Sequence, residues 1–159
     1  MKAPLALLAS LLLAGCATGT ESPTTLRQAL FGLSERAAER LTASPPMPDP
    51  AVGEVLLVAT PEVDRRLGVS EARVMESMTR ALLAVDDGPQ VLAWRDAMAS
   101  GSGDNQWRLE SRLEASGPPL QLSDRKLLPY RLAMALRRAG SDAPVWRDEI
   151  SGALDATAL

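Results

Sequence analysis

Apolar and charged side chains alternate along two segments of the chain, Trp107–Ala115 (WRLESRLEA) and Tyr130–Arg137 (YRLAMALR). In both, every second side chain is mostly apolar, and the side chains between them are mostly charged or small. A period of two residues predicts β-strands in an antiparallel sheet, with one covered face and one wet face. The residues predicted on the covered face are Trp107, Leu109, Ser111, Leu113, Ala115, Tyr130, Leu132, Met134 and Leu136.

A third alternating stretch follows a turn through Gly140-Ser141-Asp142. In Val145–Gly152 (VWRDEISG), Trp146, Asp148 and Ile150 alternate with Arg147 and Glu149. Short connections join antiparallel neighbours, so these three strands are predicted to form a meander.

Upstream of the meander, the pattern predicts a strand–helix–strand unit. Gly53–Thr60 (GEVLLVAT) is a short apolar run between two prolines, typical of a buried strand. Ser70 can cap a helix with the apolar stripe Val74, Met78, Leu82 and Val85, and Gln90–Trp94 (QVLAW) supplies the second strand. A crossover of about 30 residues predicts that the two strands are parallel.

A further helix is predicted over residues 24–42. Its stripe is formed by Leu26, Leu30, Leu33, Ala37 and Leu41. The fold class is therefore α+β in two layers, in the order α-β-α-β-β-β-β. We expect a mixed sheet of four to five strands packed by two helices.

The N-terminus resembles the signal of a bacterial lipoprotein. Lys2 precedes the uncharged apolar run Pro4–Ala14, which is too short to span a bilayer. The run ends in Leu13-Ala14-Gly15-Cys16, which matches the lipobox at all four positions. This resemblance implies cleavage between Gly15 and Cys16 and acylation of Cys16, with palmitate among the three chains that such proteins carry. Stable anchoring requires at least two.

The predicted organisation is a signal peptide at 1–15, a lipidated cysteine and short tether at 16–24, a single domain at 25–153 and a C-terminal tail at 154–159. Ala17 stands where an aspartate would signal retention in the inner membrane. We therefore expect a lipid anchor in the outer membrane, facing the periplasm. The tether from Ala17 to Thr24 spans about 26–29 Å at full extension.

Composition argues against an enzyme. The chain has no histidine, and Cys16 is its one cysteine, so neither a histidine proton shuttle nor a zinc cluster can form. No Gly-rich phosphate loop is present, and the net charge of −3 offers no basic field for nucleic acid. We expect no catalytic residue, cofactor or metal. A carboxylate-based hydrolase stays the alternative, with Asp86-Asp87, Asp104, Asp124 and Asp148-Glu149 as its candidates.

The last hairpin resembles a known family. Tyr130-Arg-Leu132-Ala-Met134 runs into a short turn and returns with Val145-Trp146 followed by acidic residues. This is similar to the LpoB-type activators of penicillin-binding proteins and to the related domains of TolB and the flagellar lipoprotein FlgO. The resemblance covers about residues 25–153. It implies a non-enzymatic binding or assembly factor of the cell envelope, with activation of a peptidoglycan synthase or flagellar assembly as alternatives.

Two charged loops are candidates for contact with an envelope protein partner. The first comprises Asp64, Arg65 and Arg66, before the second helix, and the other comprises Asp124, Arg125 and Lys126, before the fourth strand. Simple solvation of exposed loops would explain the same charges. The membrane, reached through the N-terminal lipid, is the other expected partner.

Overall fold

The alternating stretches form the long strands of one mixed sheet, which two helices cover on one side. The computed structural model describes residues 22–43, 47–98 and 103–158. Its helices are α1 (Ser22–Ala43) and α2 (Glu71–Leu83). Its strands are β1 (Val55–Val58), β2 (Glu62–Val63), β3 (Gln90–Ala93), β4 (Gln106–Ala115), β5 (Leu120–Gln121), β6 (Lys126–Arg138) and β7 (Pro144–Asp155).

The predicted sheet topology is confirmed. β1 and β3 pair in parallel across the α2 crossover, and β4, β6 and β7 form the antiparallel meander. β1 also pairs in parallel with β4, which joins the two units into one sheet. The order of the main strands is β3-β1-β4-β6-β7, since β4 and β7 pair with the same stretch of β6 from opposite sides.

Two short strands were not predicted. β2 pairs with Arg112 and Leu113 of β4, and β5 pairs with the first residues of β6. Each has only two residues, too few to show a period of side-chain burial. Both are held by backbone pairing with a longer neighbouring strand, which the local sequence does not reveal.

The core lies between the helices and the covered face of the sheet. All five residues of the predicted α1 stripe are buried, as are Val74, Met78 and Leu82 of α2. Ser70 caps α2 as expected, because its hydroxyl accepts a hydrogen bond from the Arg73 N–H. Neither described helix is both long and apolar enough to cross a membrane.

The predicted domain limits need correction at both ends. α1 begins at Ser22, so the last three residues assigned to the tether are helical. At the other end, Leu154 is buried and residues 156–158 form a 3₁₀ turn against α1. Residues 154–158 of the predicted C-terminal tail therefore belong to the domain, because Leu154 is part of its core. Gly15 and Cys16 lie outside the described residues.

Candidate partner-binding surface

The face of the sheet opposite the helices is here called the open face. In the meander it carries Arg108, Glu110, Arg112 and Glu114 of β4, Arg131, Ala133, Ala135 and Arg137 of β6, and Arg147 and Glu149 of β7. The alternation along each strand places these residues there, because successive side chains point to opposite faces. No helix of the described chain covers this face.

The strand register arranges the open face into a trough. Arg112, Ala133 and Glu149 form one row across the three strands, and Glu110, Ala135 and Arg147 form the next. The two alanines make a low floor on the middle strand, between taller charged side chains on both sides. The cavity over this floor has a volume of about 670 Å³. We call this feature the trough.

Ion pairs hold the β4 side of the trough in place. Glu110 accepts from Arg137 Nε at 2.8 Å and lies 2.7 Å from Arg108 Nη2. Further along, Arg112 Nε lies 2.8 Å from Glu62 Oε2. These groups are partly exposed, so each pair contributes little to stability. Their effect is to orient charges of both signs along one wall.

The β7 wall differs from the β4 wall. Among the described residues, Arg147 and Glu149 form no ion pair, and both side chains are exposed. They are therefore free to pair with charges on another molecule.

Beside the trough, an aromatic side chain lies on the open face. The Arg108 guanidinium stacks over the Trp94 ring, 5.1 Å from its centroid. Trp94 therefore packs against Arg108 on the open face and not in the core beneath the helices. It follows β3, two residues after Leu92, and two residues along a strand return to the same face.

The first predicted contact loop borders the open face. The Asp64 carboxylate accepts from the side chain and backbone N–H of Arg66 and from the Ala115 N–H. These contacts lower the pKa of Asp64 to about 2. The largest cause is the hydrogen bond from the Arg66 side chain, followed by the hydrogen bond from the Arg66 backbone N–H. Asp64 thus ties this turn to β4, while Arg65 stays exposed.

The second predicted contact loop is the turn of the β5–β6 hairpin. Asp124 accepts from Arg125, and this hydrogen bond lowers the pKa of the Asp124 carboxyl. Lys126 is exposed beside it. The structure attaches the two loops to different strands, since β2 pairs with β4 and β5 pairs with β6.

The neighbouring carboxylates Asp148 and Glu149 do not form a catalytic pair. Asp148 lies on the covered face and forms an ion pair with Arg40 at 3.6 Å, whereas its neighbour Glu149 lies on the open face. Asp87 has a φ of 52° in the turn that ends α2. Across the described ranges, no cluster of three or more acidic, histidine or cysteine side chains could hold a metal ion.

Sequence reasoning missed the trough, although its signal was present. The wet-face residues of the long strands were identified, but their position opposite one another depends on register. Ala133 and Ala135 are successive residues on the wet face of β6. Because β6 lies between β4 and β7, two small side chains there leave a depression between the larger side chains of its neighbours.

Comparison with known proteins gives a likeness in structure and none in sequence. No protein-family model and no curated protein sequence matches the chain. The C-terminal domain of LpoB from Escherichia coli is similar, with a TM-score of 0.51 and 17% identity over 79% of this chain and 97% of that one.

Weaker similarities link the chain to two other bacterial proteins. Lipoprotein GNA1162 from Neisseria meningitidis has a TM-score of 0.43 and 10% identity, over 65% of this chain and 85% of that one. Protein XCC0632 from Xanthomonas campestris has a TM-score of 0.47 and 16% identity, over 70% of this chain and 71% of that one. The resemblance to LpoB-type domains is confirmed as a likeness of fold: this chain is built like the LpoB C-terminal domain.

Proposed function

We propose that this protein is a lipoprotein of the cell envelope, anchored through Cys16 to the periplasmic face of the outer membrane, whose domain binds a protein partner and catalyses no reaction. The observation that carries the proposal is the trough. It is a preformed depression of about 670 Å³ on a sheet face that no described helix covers.

The chemistry of the trough suits a protein partner. Its alanine floor admits protruding side chains, and its walls present both arginine and glutamate. Complementary charges of both signs fix the orientation of a docked protein and exclude wrong partners more than they add affinity. The free charges of Arg147 and Glu149 are the part of this surface available to a partner.

The side chains of Asp64 and Arg66 in the first loop extend the proposed surface. Asp64 and Arg66 line a polar cleft together with Arg112 and Glu114, at the β4 side of the open face. A partner seated in the trough would reach this cleft, which supports the loop as a contact. The likeness to the LpoB C-terminal domain supports the same general role, because it shows that the fold occurs in such a protein.

The partner-binding proposal is tested by reversing one charge on the open face. Glu149→Arg changes an exposed carboxylate opposite Ala133. Its matched control is Glu39→Arg, an exposed carboxylate on α1 that forms no ion pair among the described residues. Both variants are introduced into a strain that lacks the protein, and growth phenotype and crosslinked complexes are compared.

We expect Glu149→Arg to lose the complex and fail to restore the phenotype, and Glu39→Arg to retain both. The reason is that only the first change places like charges against a docked partner. Equal complex formation by the two variants, with both folded, would contradict binding at the trough.

Cys16→Ser tests the anchor. We expect the precursor to remain uncleaved or to leave the membrane fraction, since the serine hydroxyl does not accept the diacylglycerol that the thiol accepts. The measurement is membrane fractionation with metabolic acyl labelling. Normal acylation and fractionation of the variant would contradict the lipoprotein assignment.

The length of the tether distinguishes two alternative roles of the protein. Activation of a peptidoglycan synthase would require the domain to reach across the cell wall, whereas an assembly role at the membrane, such as flagellar assembly, would not. Inserting about 40 flexible Gly/Ser residues after Thr20 adds about 32–38 Å to the r.m.s. span. We expect a membrane-proximal partner to tolerate the insertion or to bind less well through lower effective concentration. A gain of activity would favour the synthase-activator role.

A further inference from the structure

The tip of the β5–β6 hairpin exposes two leucines. Leu120 is 49% exposed and Leu122 is 45% exposed. The turn is closed by a hydrogen bond from the Leu122 N–H to the Arg125 carbonyl at 2.8 Å. The leucines are two residues apart on one arm of the hairpin, so they point to the same side. A single exposed leucine is ordinary, but two on one projecting turn form an apolar tip.

This tip lies at the end of the domain where the chain enters α1. Arg36 donates to the Tyr130 hydroxyl, opposite Gly152, and Arg40 pairs with Asp148. α1 therefore runs along β7 from the Asp155 end towards Pro144, and its first residue lies at the Asp155 end. Asp155 pairs with Leu127, next to the hairpin turn. We call this end of the domain the entry end.

Cations accompany the leucines at the entry end. Arg125 and Lys126 flank the hairpin turn. Arg65 lies at the same end, because the neighbouring Asp64 is hydrogen-bonded to Leu113 and Ala115 at the end of β4, and Ala115 pairs with Tyr130 near the start of β6. Arg125 is paired with Asp124, whereas Arg65 and Lys126 form no ion pair within the described part of the chain. Exposed apolar side chains beside unpaired cations suit an anionic lipid surface, where the cations meet phosphates and the apolar groups enter the interface.

We infer that the entry end is a lipid-contact surface, with Leu120 and Leu122 in the headgroup region and the unpaired Lys126 and Arg65 at anionic phosphates. The inference rests on the proposed anchor at Cys16. From Cys16 to Ser22 the chain extends about 20–22 Å at most, so the anchored domain always keeps this end near the bilayer. The docked domain then holds the trough in a defined orientation to the membrane.

The inference is tested with the acylated full-length mature protein in vesicles of phosphatidylcholine and phosphatidylglycerol. A fluorophore is attached at Leu122→Cys, since acylation blocks the Cys16 thiol. The matched control carries it at Asp142→Cys, an exposed position in the turn at the opposite end of β6. Quenching by nitroxide-labelled lipids measures the distance of each label from the bilayer.

We expect strong quenching at position 122 and weak quenching at position 142. Lys126→Gln, added to the 122 label, should lower the ratio of docked to undocked domain about fivefold, whereas Lys126→Arg should preserve it. Co-flotation with the vesicles is scored first, because its failure overturns the anchor itself. Co-flotation with equally weak quenching at both positions overturns the lipid contact alone, as does crosslinking of residue 122 to a protein instead of lipid in native membranes.

Discussion

On the covered face of β6, Leu132 is fully buried under the helices, whereas the adjoining Arg131 and Ala133 lie on the open face. The covered face is mostly apolar from β4 to β7. Over the meander, the open face consists mostly of charged side chains around a floor of alanines. The two faces of the same strands thus have different roles. Burial of the covered face supplies most of the stability, and the charged open face is available for binding other molecules.

The largest expected difference between the faces is in stability. Leu132→Ala should lower the free energy of unfolding by about 2–5 kcal/mol, because it leaves a cavity in the core. Arg131→Ala, one residue away on the open face, should change it by less than about 0.5 kcal/mol, since its pair with Glu114 is exposed. Denaturant unfolding of both variants measures the contrast, and equal losses would show that the face assignment is wrong.

A smaller loss of stability is expected at Gly152, where the covered face leaves no space for a side chain. A Cβ at Gly152 would lie 2.5 Å from the hydroxyl oxygen of Tyr130, whose ring is held by burial and by Arg36. Gly152→Ala should therefore lower the free energy of unfolding by about 1–3 kcal/mol through overpacking.

Gly53 provides the control for that prediction. No atom lies within 4 Å of a Cβ built there, so Gly53→Ala should raise stability by about 0.4–1 kcal/mol by restricting the unfolded chain. Thermal unfolding distinguishes the two. Tolerance of alanine at Gly152 would show that the Tyr130 ring can move aside.

The smallest effect concerns the rim of the open face and depends on pH. The pKa of Asp64 is lowered from 3.8 to about 2 in the folded protein. Its ionised form therefore stabilises the fold at any pH above about 4, and this contribution is lost as the pH falls towards 2. We expect Asp64→Asn to reduce the loss of stability between pH 4 and pH 2. An unchanged acid dependence in denaturant titrations would contradict this role of Asp64.

The predictions from sequence succeeded where side-chain periodicity decides the structure. The stripe from Leu26 to Leu41 and the alternation from Trp107 to Ala115 identify a helix and a strand, and their buried faces, from spacing alone. The predictions failed where a long-range contact determines the local structure. β2 is an example, because only its pairing with two residues of β4 makes it a strand. Leu154 belongs to the same class, because its burial depends on its pairing with Leu128 in β6.

Side-chain spacing was enough to identify both helices and the five main strands, the buried faces of the helices and of the meander, and the parallel pairing of β1 with β3. The tertiary structure alone decided that β1 lies between β3 and β4, that Ala133 and Ala135 are flanked by charged rows, and that the start of α1 shares an end with the hairpin of Leu120 and Leu122. The physical reason is that side-chain period is a local property of the chain. Strand order and register depend on hydrogen bonds and packing between residues far apart in sequence.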